Sequence, residues 1–171
     1  MSYVNNRIFF LLIASLIFVL NINAQTEEKN NSVIKTLWGE SIENSLTIMP
    51  LGTHYIYDPD VFGAWYTSVT VKSFEAMIFR NSKGMWTTGL LYKRAIPISE
   101  KFAINYGGGI MYGYHGTLAT TRGIPKSLNR LFSGPINPVV GLGFDYKITK
   151  GISIHADLAP LILIYGIRIA I

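Results

Sequence analysis

The sequence predicts an all-β protein: an eight-stranded antiparallel transmembrane β-barrel entered through a short N-terminal amphipathic helix. Three observations lead there. From about Trp65 to Ile171 the chain runs as short stretches in which apolar residues alternate with small or polar ones, the period of a strand with a different medium on each face. Turn signals divide it into an even number of such stretches, as closure of an antiparallel ring requires. The stretches also follow a removable export signal. The last strand is the clearest: Leu163, Tyr165, Ile167, Ile169 and Ile171 share one face, and Ile164, Gly166, Arg168 and Ala170 the other. In a soluble sandwich the apolar face would be the inner one; in a small membrane barrel it meets lipid and Arg168 meets the lumen.

Residues 1–24 carry Arg7, an apolar run from Ile8 to Leu20, and Ala24 before Gln25, the layout of a secretory signal peptide. Cleavage is expected after Ala24, which assigns 1–24 to the signal, 25–44 to a polar lead and amphipathic helix, and 45–171 to the barrel. The apolar run is short for a spanning helix of ~20 residues, and no later segment suits one. The remainder has the length of one domain. Without cysteine there is no disulfide framework, no lipidated cysteine, no thiolate metal site and no thiol catalysis. The net charge of +5 falls only slightly on loss of Arg7. Its basic residues are scattered through strands and turns, which argues against a nucleic-acid partner and suits anionic lipid headgroups.

Ile34, Leu37, Trp38 and Ile42 recur at helical spacing, predicting a helix over 32–43 capped by Asn31 or Ser32, with Gly39 lowering its propensity. In a membrane barrel it would lie on the periplasmic surface; in a soluble barrel it would cover one end. Strands are then expected at 45–57, 63–71, 74–80, 85–95, 102–114, 135–148, 152–160 and 162–171. The connections 58–62, 81–84 and above all 116–134 fall on one rim, and the turns at 72–73 and 149–150 on the other, matching the long exterior loops and short periplasmic turns of such barrels. The link 96–101 belongs to the short side yet is longer than the other turns there, and the link at Leu161 is unusually tight for the outer rim. Gly107 and Gly109 would leave space in the lumen. No helix follows Gly107-Gly108-Gly109, so they do not form a dinucleotide loop.

No GxSxG elbow, P-loop, HExxH or paired metal motif is present. The strand map brings His54, near the end of the first strand, to the same rim as Asn81 and Ser82 after the third. A histidine beside a serine offers a general base and a hydroxyl able to attack or polarise a carbonyl, and Asn81 is placed to orient the imidazole or donate to an oxyanion. Plain turn chemistry also puts Asn-Ser on rims. His155 and Asp157 alternate with Ser153 onto one face, as a lumen hydrogen-bond network would. Arg168 and Glu75 are of the right kind to form a lumen salt bridge. His115 reads as a solvated turn residue, and Trp38, Trp65 and Trp86 as interface anchors.

Leu46-Thr47-Ile48-Met49-Pro50-Leu51-Gly52-Thr53-His54 and Phe74-Glu75-Ala76-Met77-Ile78-Phe79-Arg80-Asn81-Ser82 resemble the first and third strands of the outer-membrane lipid A palmitoyltransferase family. Ile136-Asn137-Pro138-Val139 and Leu158-Ala159-Pro160 resemble its later proline-bearing strands. The resemblance implies an amphipathic helix before an eight-stranded barrel, and proline gaps in the ladder that admit lipid sideways. It further implies acyl transfer from a phospholipid donor to lipid A or a related lipid, with His54, Asn81 and Ser82 at the catalytic positions. No metal or organic cofactor is implied. The expected setting is the outer membrane of a Gram-negative cell, the partners membrane lipids, and the state a monomer. Asn81 stands where the family has Asp; an amide orients a ring but cannot stabilise an imidazolium by charge. The chain also ends on Ile171, where such barrels usually finish on an aromatic, and its link before the third strand is shorter than the family's. Two other readings stand beside this one: a non-catalytic barrel serving envelope integrity, surface interaction or small-solute passage, and an exported soluble β-sandwich or lipocalin-like binder.

Overall fold

A computed structural model describes residues 35–55, 65–81, 83–120, 124–159 and 162–171. The predicted signal, residues 32–34 of the predicted helix, Ser82 and Pro160 lie outside the described residues. The chain divides into two units, 1–38 and 39–171. In the first, residues 35–38 are helical.

The second unit begins with β1 (Glu40–Ser41) and continues with β2 (Ser45–His54), β3 (Trp65–Val71), β4 (Phe74–Arg80), β5 (Trp86–Pro97), β6 (Phe102–Tyr112), β7 (Ile136–Lys147), β8 (Ile152–Ala159) and β9 (Ile162–Ala170). Strands β2 to β9 pair antiparallel with their sequence neighbours, and β9 pairs back onto β2, closing an eight-stranded barrel. The eight predicted strands are therefore present, with ends shifted by a few residues. The predicted helix does not reach 43. Gly39 takes a positive φ of 66°, the left-handed conformation that ends helices. Residues 40–41 then pair with Ala95 and Arg94 of β5. Ile42, counted by its spacing to a helical face, is instead buried at the inner mouth with its N–H donating to Ser73 Oγ at 3.1 Å.

The β3–β4 hairpin follows from local chemistry. Lys72 and Ser73 both have positive φ, 47° and 75°, the geometry of a two-residue turn whose twist matches its strands. Ser73 is buried and its hydroxyl meets that of Ser41 at 2.9 Å, which ties the lead segment to this turn. The β2–β9 register shifts between Ile48 and Leu51, around Pro50, which has no N–H to give the ladder.

The two faces of the sheet carry opposite chemistry. Ser45, Thr47, Ser68, Thr70, Glu75, Thr87, Lys93, Asn105, Asp145, His155 and Arg168 are buried inside. Phe74, Leu90, Ile110, Val140, Ile154 and Ile167 are exposed outside. Trp65 and Trp86 meet edge to face near the outer rim with centroids 6.1 Å apart, and Phe74 meets Tyr92 at 5.2 Å near the inner one. Met49, Tyr66, Met77 and Leu91 form an inward apolar cluster.

Candidate functional site in the barrel lumen

The inner half of the lumen holds a layer of buried charge. Lys93 Nζ lies 3.2 Å from Glu75 Oε2 and 3.0 Å from Asp157 Oδ2. Asp157 Oδ2 lies 3.2 Å from His155 Nε2, and His155 Nδ1 lies 2.7 Å from Asp145 Oδ1. Asp145 also accepts from Arg168 Nη1 and, at 2.5 Å, from Asn105 Nδ2. The hydroxyls of Tyr66 and Thr70 donate to Glu75. Paired and hydrogen-bonded in this way, charges survive where water is scarce. Glycines make the room: a Cβ at Gly107 would lie 2.6 Å from Lys93 Cγ, and one at Gly143 2.6 Å from Asp157 Oδ1.

Above this floor the lumen turns to carbon. A cavity of about 190 Å³ stands on Tyr66, Lys93 and Asp157, is walled by Met77, Phe79, Leu91, Met111, Val139 and Ile164, and is covered by Tyr114, Leu118, Ile124 and Phe132 of the long loop. Its side is not fully closed. Strand β7 pairs with β6 along its whole length, from Tyr112↔Ile136 to Phe102↔Tyr146, but among the described residues its ladder to β8 stops at Leu142↔Leu158. Residues 136–141 of β7 have no ladder partner on that side among the described residues. Both inward Val139 and outward Pro138 and Val140 line the cavity, opposite Leu158, Ala159 and Ile162. Val140 is 65% exposed. The cavity thus opens sideways between β7 and the β8–β9 hairpin.

Of the residues singled out for chemistry, His54 ends β2 half-buried, its Cα paired with that of Ile162, which borders the cavity. Asn81 is buried directly after β4. Its Oδ1 accepts from Lys83 N and Met85 N, both at 3.0 Å, and its Nδ2 donates to Thr87 Oγ1 at 2.9 Å. These bonds hold Asn81 to its own hairpin rather than to His54, and β3 lies between their strands. Ser82 is outside the described residues. His155 and Asp157 do join a lumen network. Arg168 and Glu75 both enter it too, but with other partners, Asp145 and Lys93. Those two were not singled out from sequence, although each carries a visible signal: Lys93 follows Tyr92, and Asp145 sits between Phe144 and Tyr146, so an inward charge alternates with outward aromatics. His115, on the long loop, stands edge-on to Tyr112 at 5.1 Å.

Fold and lumen together define a closed antiparallel β-barrel with a charged inner half and an apolar, side-opening outer half. No protein-family model, curated protein or solved structure matches the chain.

Proposed function

We propose that this barrel spans the outer membrane and transfers an acyl chain from a phospholipid to the glucosamine of lipid A or a related lipid. The observation that carries the reading is the carbon-lined cavity that opens sideways beside the His54 end of β2. An exposed apolar exterior over a polar interior supports immersion in lipid, because a lipid-facing barrel must invert the usual arrangement. An alkyl chain suits a narrow cavity with few polar groups above its floor.

In this reading His54 takes the proton of the acceptor hydroxyl as that oxygen adds to the ester carbonyl; the ester C–O bond then breaks and the proton passes to the departing lysophospholipid oxygen. Ser82 supplies the hydroxyl that polarises the carbonyl. Asn81 acts as a positioning residue, because its side chain holds the backbone of Lys83 and Met85.

The test is mass spectrometry of lipid A and phospholipids from a Gram-negative host expressing the wild-type chain, His54→Ala or Ser82→Ala, with each protein first shown to stay in the outer membrane through carbonate washing. An added acyl mass with wild type alone supports the assignment. Unchanged lipids in all three strains, with the barrel folded in place, refute it. One observation favours a non-catalytic barrel instead: the residue beside Ser82 is an amide engaged in its own turn. Extraction of the protein without detergent would point to the soluble reading.

A further inference from the structure

Two cavities face each other across the charged layer. The outer one touches Lys93 and Asp157. The inner one, of about 140 Å³, lies behind residues 40–43 at the inner mouth and is bordered by Asp145, Arg168 and Asn105. Ser45 and Asn105 border this chamber, and their Oγ and Oδ1 are buried with no hydrogen-bond partner among the described residues; buried groups of this kind call for a polar neighbour or an ordered water. Between the chambers the chain of contacts Glu75, Lys93, Asp157, His155, Asp145, Arg168 runs from wall to wall, drawing its members from β4, β5, β8, β7 and β9.

We propose that this layer is a closed ion gate across the lumen and that Lys93 is its latch. Lys93 is the cation held between two buried carboxylates on opposite sides of the barrel, Glu75 from β4 and Asp157 from β8. With it in place the charges are mutually satisfied and no hydrated ion has a path. Without it two carboxylates face one another in a confined space, and a shared proton or admitted water must take the place of the ammonium. Water there opens a passage through the layer between the two chambers. The glycines that give Lys93 and Asp157 their space, Gly107 and Gly143, leave no side chain to fill it. The gate rests on the membrane-spanning part of the reading above and is independent of acyl transfer.

The experiment is single-channel recording of the purified full chain in phosphatidylcholine bilayers bathed in potassium chloride. Flotation with phosphatidylcholine vesicles and heat-modifiable mobility establish that each protein is inserted and folded. Wild type is expected to leave the current at the bare-bilayer level, and Lys93→Ala to give stepwise openings. Lys93→Met keeps the bulk of the stem without the charge and is also expected to conduct. If Lys93→Ala fails to fold, Glu75→Gln combined with Asp157→Asn, which preserves shape and removes both latched anions, is expected to open the gate. Openings by wild type would refute the closed gate. Silence of Lys93→Met beside a conducting Lys93→Ala would reduce the layer to a volume plug and overturn the latch, and silence of every folded variant would overturn the gate. A chain that fails to float with vesicles refutes the membrane reading instead.

Discussion

Asp145 is the hub on which the inner layer turns, and replacing it by alanine tests how the lumen is held together. Its carboxylate receives His155, Arg168 and Asn105 at once. Two unit charges about 4 Å apart at an effective dielectric near 20 attract by about 4 kcal/mol, and removal of one partner from a buried pair typically costs about 3–5 kcal/mol. Asp145→Ala is therefore expected to destabilise the barrel by about 4 kcal/mol, mostly because Arg168 remains buried with its principal anion gone. The expectation becomes sharper in a double-mutant cycle. Arg168→Ala alone should cost a similar amount, but the two together should cost clearly less than their sum, since no charge is then stranded. The assay is urea unfolding of the barrel in lipid vesicles, followed by tryptophan fluorescence and heat-modifiable mobility. Additive losses, or an Asp145→Ala loss below about 1 kcal/mol, would show that the pairing contributes little and that the layer is held by the ladder alone.

Other outcomes follow from the same geometry. Gly109→Ala would drive a Cβ into the Leu90 carbonyl oxygen, and the heat-modifiable folded band should be lost, whereas Gly151→Ala, which meets nothing within 4 Å, should fold as wild type. Asn81→Ala deprives two backbone N–H groups and the Thr87 hydroxyl of their partner, and should cost roughly 1–3 kcal/mol in the same urea assay; Asn81→Gln should not restore it, because the longer side chain misplaces the acceptor. Val139→Trp fills the outer cavity from its wall, and should abolish binding of an apolar fluorescent probe while leaving the inner layer and urea stability within about 1 kcal/mol of wild type. An unchanged probe affinity would mean that the ligand space lies elsewhere.

Strand positions were legible because an alternating face is a property of each segment by itself. Leu163 to Ile171 announces its two faces whatever it pairs with, and the Lys72-Ser73 and Thr149-Lys150 turns punctuate the run. Partnership within the lumen is another matter. Parity says that Glu75, Lys93, Asp145 and Arg168 point inward, but the height at which each sits depends on register and on the slip around Pro50, which no single strand encodes. Hence Arg168 meets Asp145, and Glu75 meets Lys93, in place of each other. The helix was read too far for a related reason: Ile42 fits a helical stripe, yet Gly39 turns left-handed and hands the next residues to β5. The rim site was legible only as a set of residue types. Whether His54 and Ser82 meet depends on loops, whose paths follow from packing and not from periodicity.

The pairing of β9 with β2 has a consequence for how such a chain comes to be folded. The seam joins Ser45 to Ala170 and Leu46 to Ile169, contacts between opposite ends of the barrel sequence, while every other ladder among the eight barrel strands joins sequence neighbours. Local hairpins can form as the chain emerges; the seam must wait for the last strand, and the entropy of bringing such distant residues together makes it a slow step. Until then β2 and the growing edge both present unpaired backbone with apolar side chains beside it, the surfaces on which strands of separate chains aggregate. Whatever guards this polypeptide on its way must therefore protect two edges at once and release them together.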